Sequence, residues 1–270
     1  TFFKRVEQWE ENFEQESDRI STKLQQLARQ IFRKENLMID YAAEEKAYPL
    51  LLPCIRELKE KLYTGTVAKG QFEPVPVKRQ EGFKSSSQVQ YVAYAGNYRK
   101  KGFSYTGALK VLKVMMGYDY LWNQVRVKGG AYGCMCNFGK SGDCYFVSYR
   151  DPNLKNTLDI YREAPGYIAG FQADERTMTQ FIIGAVSEMD MPMNPAAKGL
   201  YSLSGYMTGV TEEMLQKERD EVLSADEKDL QHCAALLAAA LEDDCLCTVG
   251  NAGEIEREKE LFERVVPLFK

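Results

Sequence analysis

Residues 121–149 constrain the fold of this chain more than any other stretch. Leu121 and Val125 continue a helical spacing that stops at Gly129-Gly130. Two alternating runs follow, 132–138 and 144–149, on either side of Gly139-Lys-Ser-Gly142. A helical period that gives way to a period of two across a glycine pair marks a helix handing over to a strand. Two alternating runs about a short glycine-bounded loop mark a β-hairpin. Hairpins build antiparallel sheet, and the helical patterns around this one have to cover it, so the spacing predicts an α+β domain.

The handover also holds the candidate chemistry. Arg126 and Tyr132 bracket Gly129 and Gly130. A guanidinium and a phenol both donate hydrogen bonds, and two glycines let the backbone turn sharply and approach a ligand closely. Arg126, Gly129, Gly130 and Tyr132 are therefore the candidate site residues, suited to gripping a carbonyl or a phosphate. Packing roles compete with this reading. Tyr132 fits a strand aromatic on a core face with Cys134 and Cys136, and Arg126 fits a surface cation near a helix C-terminus, where the dipole favours it.

Much common chemistry is excluded. The chain has one histidine, His232, inside the apolar helical run Leu-Gln-His-Cys-Ala-Ala-Leu-Leu, where a half-buried helix position is expected. A zinc hydrolase needs two or three imidazoles or equivalent thiolates, and a Ser–His or Cys–His mechanism needs its histidine beside a nucleophile. No metal site and no complete hydrolase centre are expected. The seven cysteines are an odd number, as reduced thiols in a cytosol-like compartment would be. The pairs Cys134/Cys136 and Cys245/Cys247 lie in strand-like runs, and their one-residue spacing reads as small core side chains rather than a zinc knuckle. A net charge of −4 gives no footprint for nucleic acid. No stretch reaches the roughly 18 apolar residues of a membrane helix. The charged, amphipathic opening is unlike a signal peptide, and with no initiator methionine the chain is expected to begin inside a longer protein.

Residues 2–34 predict helix in two pieces, 36–43 a short strand and 45–62 a helix. Near the other end a helix opens at Thr211, and Ser224-Ala-Asp-Glu227 has the form of a capping box opening another. Residues 245–250 predict a strand and 255–269 a helix carrying Leu261, Phe262, Val265 and Leu268. Helix, strand and helix thus recur at an offset of about 209 residues, pairing Leu37 with Leu246 and Ala43 with Ala252. The division expected is a tail of one module over 1–63, a linker over 64–81 rich in glycine and proline, and a whole module over 82–270. Within the latter, 88–95 predicts a strand, Ser104 a helix cap, Asp151-Pro152 a helix start and Asp174 another.

In this order the segments 89–98, 121–133, 148–161, 182–186 and 209–213 resemble the last module of the presequence-protease branch of the insulinase-type zinc metallopeptidases. The Arg-x-x-Gly-Gly-Ala-Tyr-Gly run and Ser148-Tyr-Arg-Asp-Pro-Asn153 carry most of the specificity. The resemblance implies a metallohydrolase-like α+β module with a mostly antiparallel sheet packed on helices. It implies the C-terminal part of a zinc endopeptidase that degrades unstructured peptides, partnered by the N-terminal half of the same polypeptide. That half would bear the zinc motif His-x-x-Glu-His, absent here, so this chain alone is expected to be inactive. Its contribution would be Arg126 and Tyr132, donating to the scissile carbonyl. A catalytically inert subunit of a processing-peptidase-like complex is the alternative. Phosphate or nucleotide binding by Gly129-Gly130 is a third reading, disfavoured because the glycines follow a helix instead of preceding one.

Overall fold

The computed structural model describes residues 2–65, 67, 70, 71, 73 and 80–269. The chain forms two compact units, Thr1–Val75 with Pro192–Thr211, and Pro76–Met191 with Glu212–Lys270.

The first unit is helical. Helices α1 (Phe2–Glu11) and α2 (Phe13–Ile31) are the two pieces expected, and α3 (Tyr48–Lys61) follows. None of their residues is buried. Helix α7 (Pro195–Thr208) belongs here as well, opened by Asn194 accepting from the Ala197 amide and closed by left-handed Gly209. The strand expected over 36–43 does not form. A 3₁₀ turn, Lys34–Asn36, leads into irregular chain. A strand needs a neighbour for its backbone groups, and the only bridge described in this unit is Arg33 with Tyr63. Residues 40–42 instead pack under α7, where a Cβ on Gly199 would stand 2.5 Å from Asp40 Oδ2. The repeat therefore fails at its central element. Most of the linker stretch 64–81 lies outside the described residues.

The second unit holds the whole buried core. Its strands are β1 (Gln80–Ser85), β2 (Gln90–Asn97), β3 (Gly133–Phe138), β4 (Asp143–Asp151), β5 (Cys245–Asn251) and β6 (Arg264–Pro267). They form one sheet in the order β3-β4-β2-β5-β1-β6. The β3–β4 hairpin and the pairs of β2 with β4 and β5 are antiparallel, whereas β1 runs parallel to both β5 and β6. The predicted α+β class holds, with a parallel margin that the hairpin pattern did not announce. Helices α5 (Lys155–Ala169) and α9 (Glu227–Leu241) cover one face. Phe146 of β4 stacks on Tyr161 of α5 at 5.3 Å between centroids. The other face carries exposed Tyr91, Met135, Tyr145 and Tyr149.

Several expected boundaries shift, each for a local reason. Helix α4 (Ala108–Met115) starts after Gly107, not at Ser104; the Gly107 amide donates to Glu221 Oε2 at 2.6 Å, which supplies the cap from α8 (Glu212–Leu223). The box opening α9 is Asp226 with Asp229, two residues beyond the one read from the sequence. Helix α6 (Glu175–Met189) is capped by Asp174 as expected. The terminal helix over 255–269 is replaced by a short α10 (Ala252–Arg257), a 3₁₀ turn and β6. Val265 and Val266 suit a strand, and Pro267 is tolerated because β6 is an edge. His232 lies on α9 as expected but is exposed.

Glu218 of α8 is buried, accepting from Lys140 Nζ at 2.6 Å and from the Tyr105 hydroxyl, with Lys110 Nζ at 3.6 Å. It ties α8 to the tip of the β3–β4 hairpin.

Candidate functional site

Helix α4 continues without a break into a π-helical segment, Met116–Lys128, that delivers Arg126 and ends at the glycine pair. Single π turns recur at functional sites, and a run of this length is rare. Its buried side, Met116, Tyr120, Leu121 and Val125, anchors it in the core. Arg126 lies on the other side, exposed, with its guanidinium 3.9 Å from the Trp122 ring centroid.

The two glycines do different work. Gly130 takes φ +80°, a left-handed state that costs other residues about 1–2 kcal/mol. Gly129 has an ordinary φ of −80°, but a Cβ there would lie 2.5 Å from the Val125 carbonyl oxygen. With Gly130 N–H donating to Arg126 O (2.9 Å) and Ala131 N–H to Val125 O (3.1 Å), the chain folds back over the helix end and enters β3. Tyr132 stands at that entry and is 61% exposed, so it is not the core aromatic of the packing reading.

The run Ser148–Asn153 is the frame of this turn. The Tyr149 ring covers Gly133, leaving no room for a Cβ, and meets the Tyr132 ring edge-on at 5.5 Å. The Arg150 carbonyl accepts from the Tyr132 amide (3.3 Å), and its guanidinium lies 5.8 Å from the Tyr132 ring centroid. Asp151 is buried; it accepts from the Asn153 amide (2.9 Å) and the Thr157 hydroxyl (2.7 Å), so it braces the β4–α5 corner and does not open α5. Asn153 Nδ2 donates to the Gly129 carbonyl at 2.6 Å. The sequence offers one signal for this frame, the Asp-Pro-Asn corner chemistry. Nothing in it marks Arg150 as a residue at φ +49°, a state that costs on the order of 1–3 kcal/mol outside glycine.

The cysteines behave as two different pairs. Cys134 is half-buried and Cys136 buried on the helix-covered face. Burial pushes Cys134 up to about 11, against the opposing charge of nearby Arg126, and Cys136 up to about 12. Both stay protonated thiols. Cys245 and Cys247 are half-buried and exposed on the open face, not core side chains as expected. Among the described residues no three or more His, Cys, Asp or Glu side chains are grouped to hold a metal. Cys134, Cys136 and His232 belong to no such group, so the described residues offer no ligand set that fits zinc.

Around the turn, Arg126, Lys128 and Arg150 are exposed and form no ion pair among the described residues. A turn with a phenol and unpaired cations can receive an oxygen atom that bears or develops negative charge.

A PreP C-terminal domain model matches residues 80–249. Over 261 residues the chain is 39% identical to Protein HypA of Clostridium perfringens, covering 96% of this chain and 27% of that protein. Over 252 residues it is 31% identical to Presequence protease 1, chloroplastic/mitochondrial, of Arabidopsis thaliana, covering 92% of this chain and 23% of that one. The fold resembles the crystal structure of a peptidase M16 inactive domain from Pseudomonas fluorescens, with TM-score 0.51, 14% identity, and 75% and 50% of the two chains covered. The α+β unit thus shares the fold of that peptidase M16 domain. The chain belongs to the presequence-protease C-terminal domain family. It spans about a quarter of the length of these curated relatives.

Proposed function

We propose that this chain is the substrate-clamping C-terminal region of a zinc-dependent endopeptidase acting on unstructured peptides. The observation that carries the reading is an exposed phenol and an exposed, unpaired guanidinium on either side of a turn that its surroundings fix rigidly. Family membership supports it, as does the row of exposed side chains, Tyr91, Met135, Tyr145 and Tyr149, on the open face beside the turn. Such a surface suits an extended peptide.

In this reading the metal and the base that activates water belong to the rest of the polypeptide. The residues of this chain act on the scissile carbonyl. As its oxygen gains negative charge, the Tyr132 hydroxyl and Arg126 guanidinium donate charge-assisted hydrogen bonds to it. Trp122 under Arg126 and Tyr149 beside Tyr132 hold the donors in place, so little reorganisation is left for the transition state. Gly129 and Gly130 let the substrate backbone approach.

A catalytically inert partner is the second reading, and the similarity to a domain described as inactive favours it. The two separate on one experiment. The longer polypeptide containing this chain should cleave an unstructured peptide in a chelator-sensitive manner, and Arg126→Ala should abolish most of that cleavage. Chelator-sensitive activity indifferent to Arg126→Ala would refute the clamping role. A metal-free, inactive polypeptide would establish the inert reading.

A further inference from the structure

The proposed reading uses Arg126 and Tyr132 and leaves Arg150 without a task. Arg150 is the last but one residue of β4, and its backbone is left-handed at φ +49°. Arginine has no intrinsic preference for that state, which surrounding structure has to impose. Here the imposing contacts are the Tyr132 amide on its carbonyl and the corner built by Asp151 and Asn153. The result is a guanidinium 5.8 Å from the Tyr132 ring centroid, exposed, with no hydrogen-bond or ion-pair partner among the described residues. The nearest carboxylate in sequence, Asp151, is buried and already engaged by Asn153 and Thr157. Lys128, hydrogen-bonded to Gln124, and Arg126, stacked on Trp122, add two further cations that form no ion pair among the described residues, in a chain whose net charge is −4. Exposed cations that no ion pair occupies draw an anionic ligand. A guanidinium's planar fork matches a carboxylate in particular.

We propose that Arg150 is a specificity residue that binds a carboxylate of the peptide substrate next to the scissile bond. This rests on the peptidase reading above. Because Arg150 flanks Tyr132, the carboxylate it meets belongs to a residue adjacent to the carbonyl Tyr132 serves. It is either an acidic side chain or the terminal carboxylate of a short product-like peptide.

The test is kinetic, on the longer polypeptide, with three matched sets of unstructured peptides. In one, Glu or Gln is moved a residue at a time across the scissile bond; in another, the C-terminus is free or amidated; a third is uncharged throughout. Wild type should prefer the charged member at one position by about tenfold in kcat/KM, the effect of one charge-assisted contact. The set showing the preference identifies the source of the carboxylate. Arg150→Gln should bring that ratio close to one, and Arg150→Lys should keep part of it. Arg150→Asn serves as the backbone control, since asparagine accepts the left-handed state. It should lose the ratio as fully as Arg150→Gln. A wild-type enzyme without any preference, a preference that survives Arg150→Gln, or one that Arg150→Asn retains would each overturn the proposal. Failure of wild type to cleave even the uncharged peptides would instead count against the peptidase reading.

Discussion

Alanine at Gly129 and at Gly130 should destabilise the second unit by different mechanisms and different amounts. At Gly130 an added Cβ meets only Pro152 Cγ, at 3.5 Å, an ordinary contact. The cost is then purely conformational, about 1–2 kcal/mol for a left-handed alanine. At Gly129 the conformation suits alanine, but the Cβ would lie 2.5 Å from the Val125 carbonyl oxygen and 3.1 Å from that of Gln124. The helix end has to move, at the roughly 1–3 kcal/mol typical of overpacking. That movement also disturbs the 2.6 Å bond from Asn153 to the Gly129 carbonyl, worth about 1 kcal/mol. Gly129→Ala should therefore cost about 2–4 kcal/mol and exceed Gly130→Ala. Thermal unfolding of this chain, in a Trp9→Phe background so that Trp122 alone reports, follows the relevant unit. At about 2–4 °C per kcal/mol, Gly130→Ala should lower Tm by about 2–8 °C, and Gly129→Ala by more. Gly130→Asn should recover part of the loss. If Gly129→Ala proves the milder change, the close approach at Val125 is not what fixes the turn.

Asn153→Ala removes the strut to Gly129 and should cost about 0.5–1.5 kcal/mol in denaturant unfolding, with a parallel fall in turnover of the longer polypeptide. Stability and turnover both at wild-type level would dismiss the strut. Burial by itself raises the Glu218 carboxyl, but hydrogen bonds from Lys140 and Tyr105 and the charge of Lys110 outweigh it and hold the group below the usual range. A carboxyl lowered in the folded state contributes stability that is present above its unfolded value, about 4.3, and is lost as pH falls through the folded value. Acid unfolding should begin below about pH 4.3, and Glu218→Gln should flatten that limb while destabilising the protein at neutral pH; an unchanged acid limb would exonerate Glu218. The chain expressed alone should show no peptidase activity. Cleavage that persists through chelation and repeated purification would contradict this.

The candidate site was legible to different depths. Helix, glycine pair and hairpin could be read directly, because period and turn chemistry are local. The same locality explains the failures. Residues 36–43 have strand composition and no partner strand, and the spacing of Leu261, Phe262, Val265 and Leu268 suits a helix as well as a turn followed by an edge strand. β1 escaped notice because Gln80–Ser85 gains its strand character from parallel neighbours far along the chain. In the site, Arg126 and Tyr132 stood out by residue type, whereas the roles of Tyr149, Arg150 and Asn153 are tertiary. They exist only once β4 lies beside β3 and the corner after it meets the helix end.

The Tyr132 hydroxyl is the group through which this turn would act on the scissile carbonyl. Tyr132→Phe removes one oxygen from an exposed ring and leaves its edge-on contact with Tyr149 intact. Single-turnover and steady-state assays of the longer polypeptide, below and above KM, separate peptide binding from the chemical step. A donor to the developing oxyanion predicts a loss of about 10²–10³ in kcat with ground-state peptide affinity nearly unchanged. Turnover within about twofold of wild type, well under that range, would contradict the claim that this turn serves the scissile carbonyl.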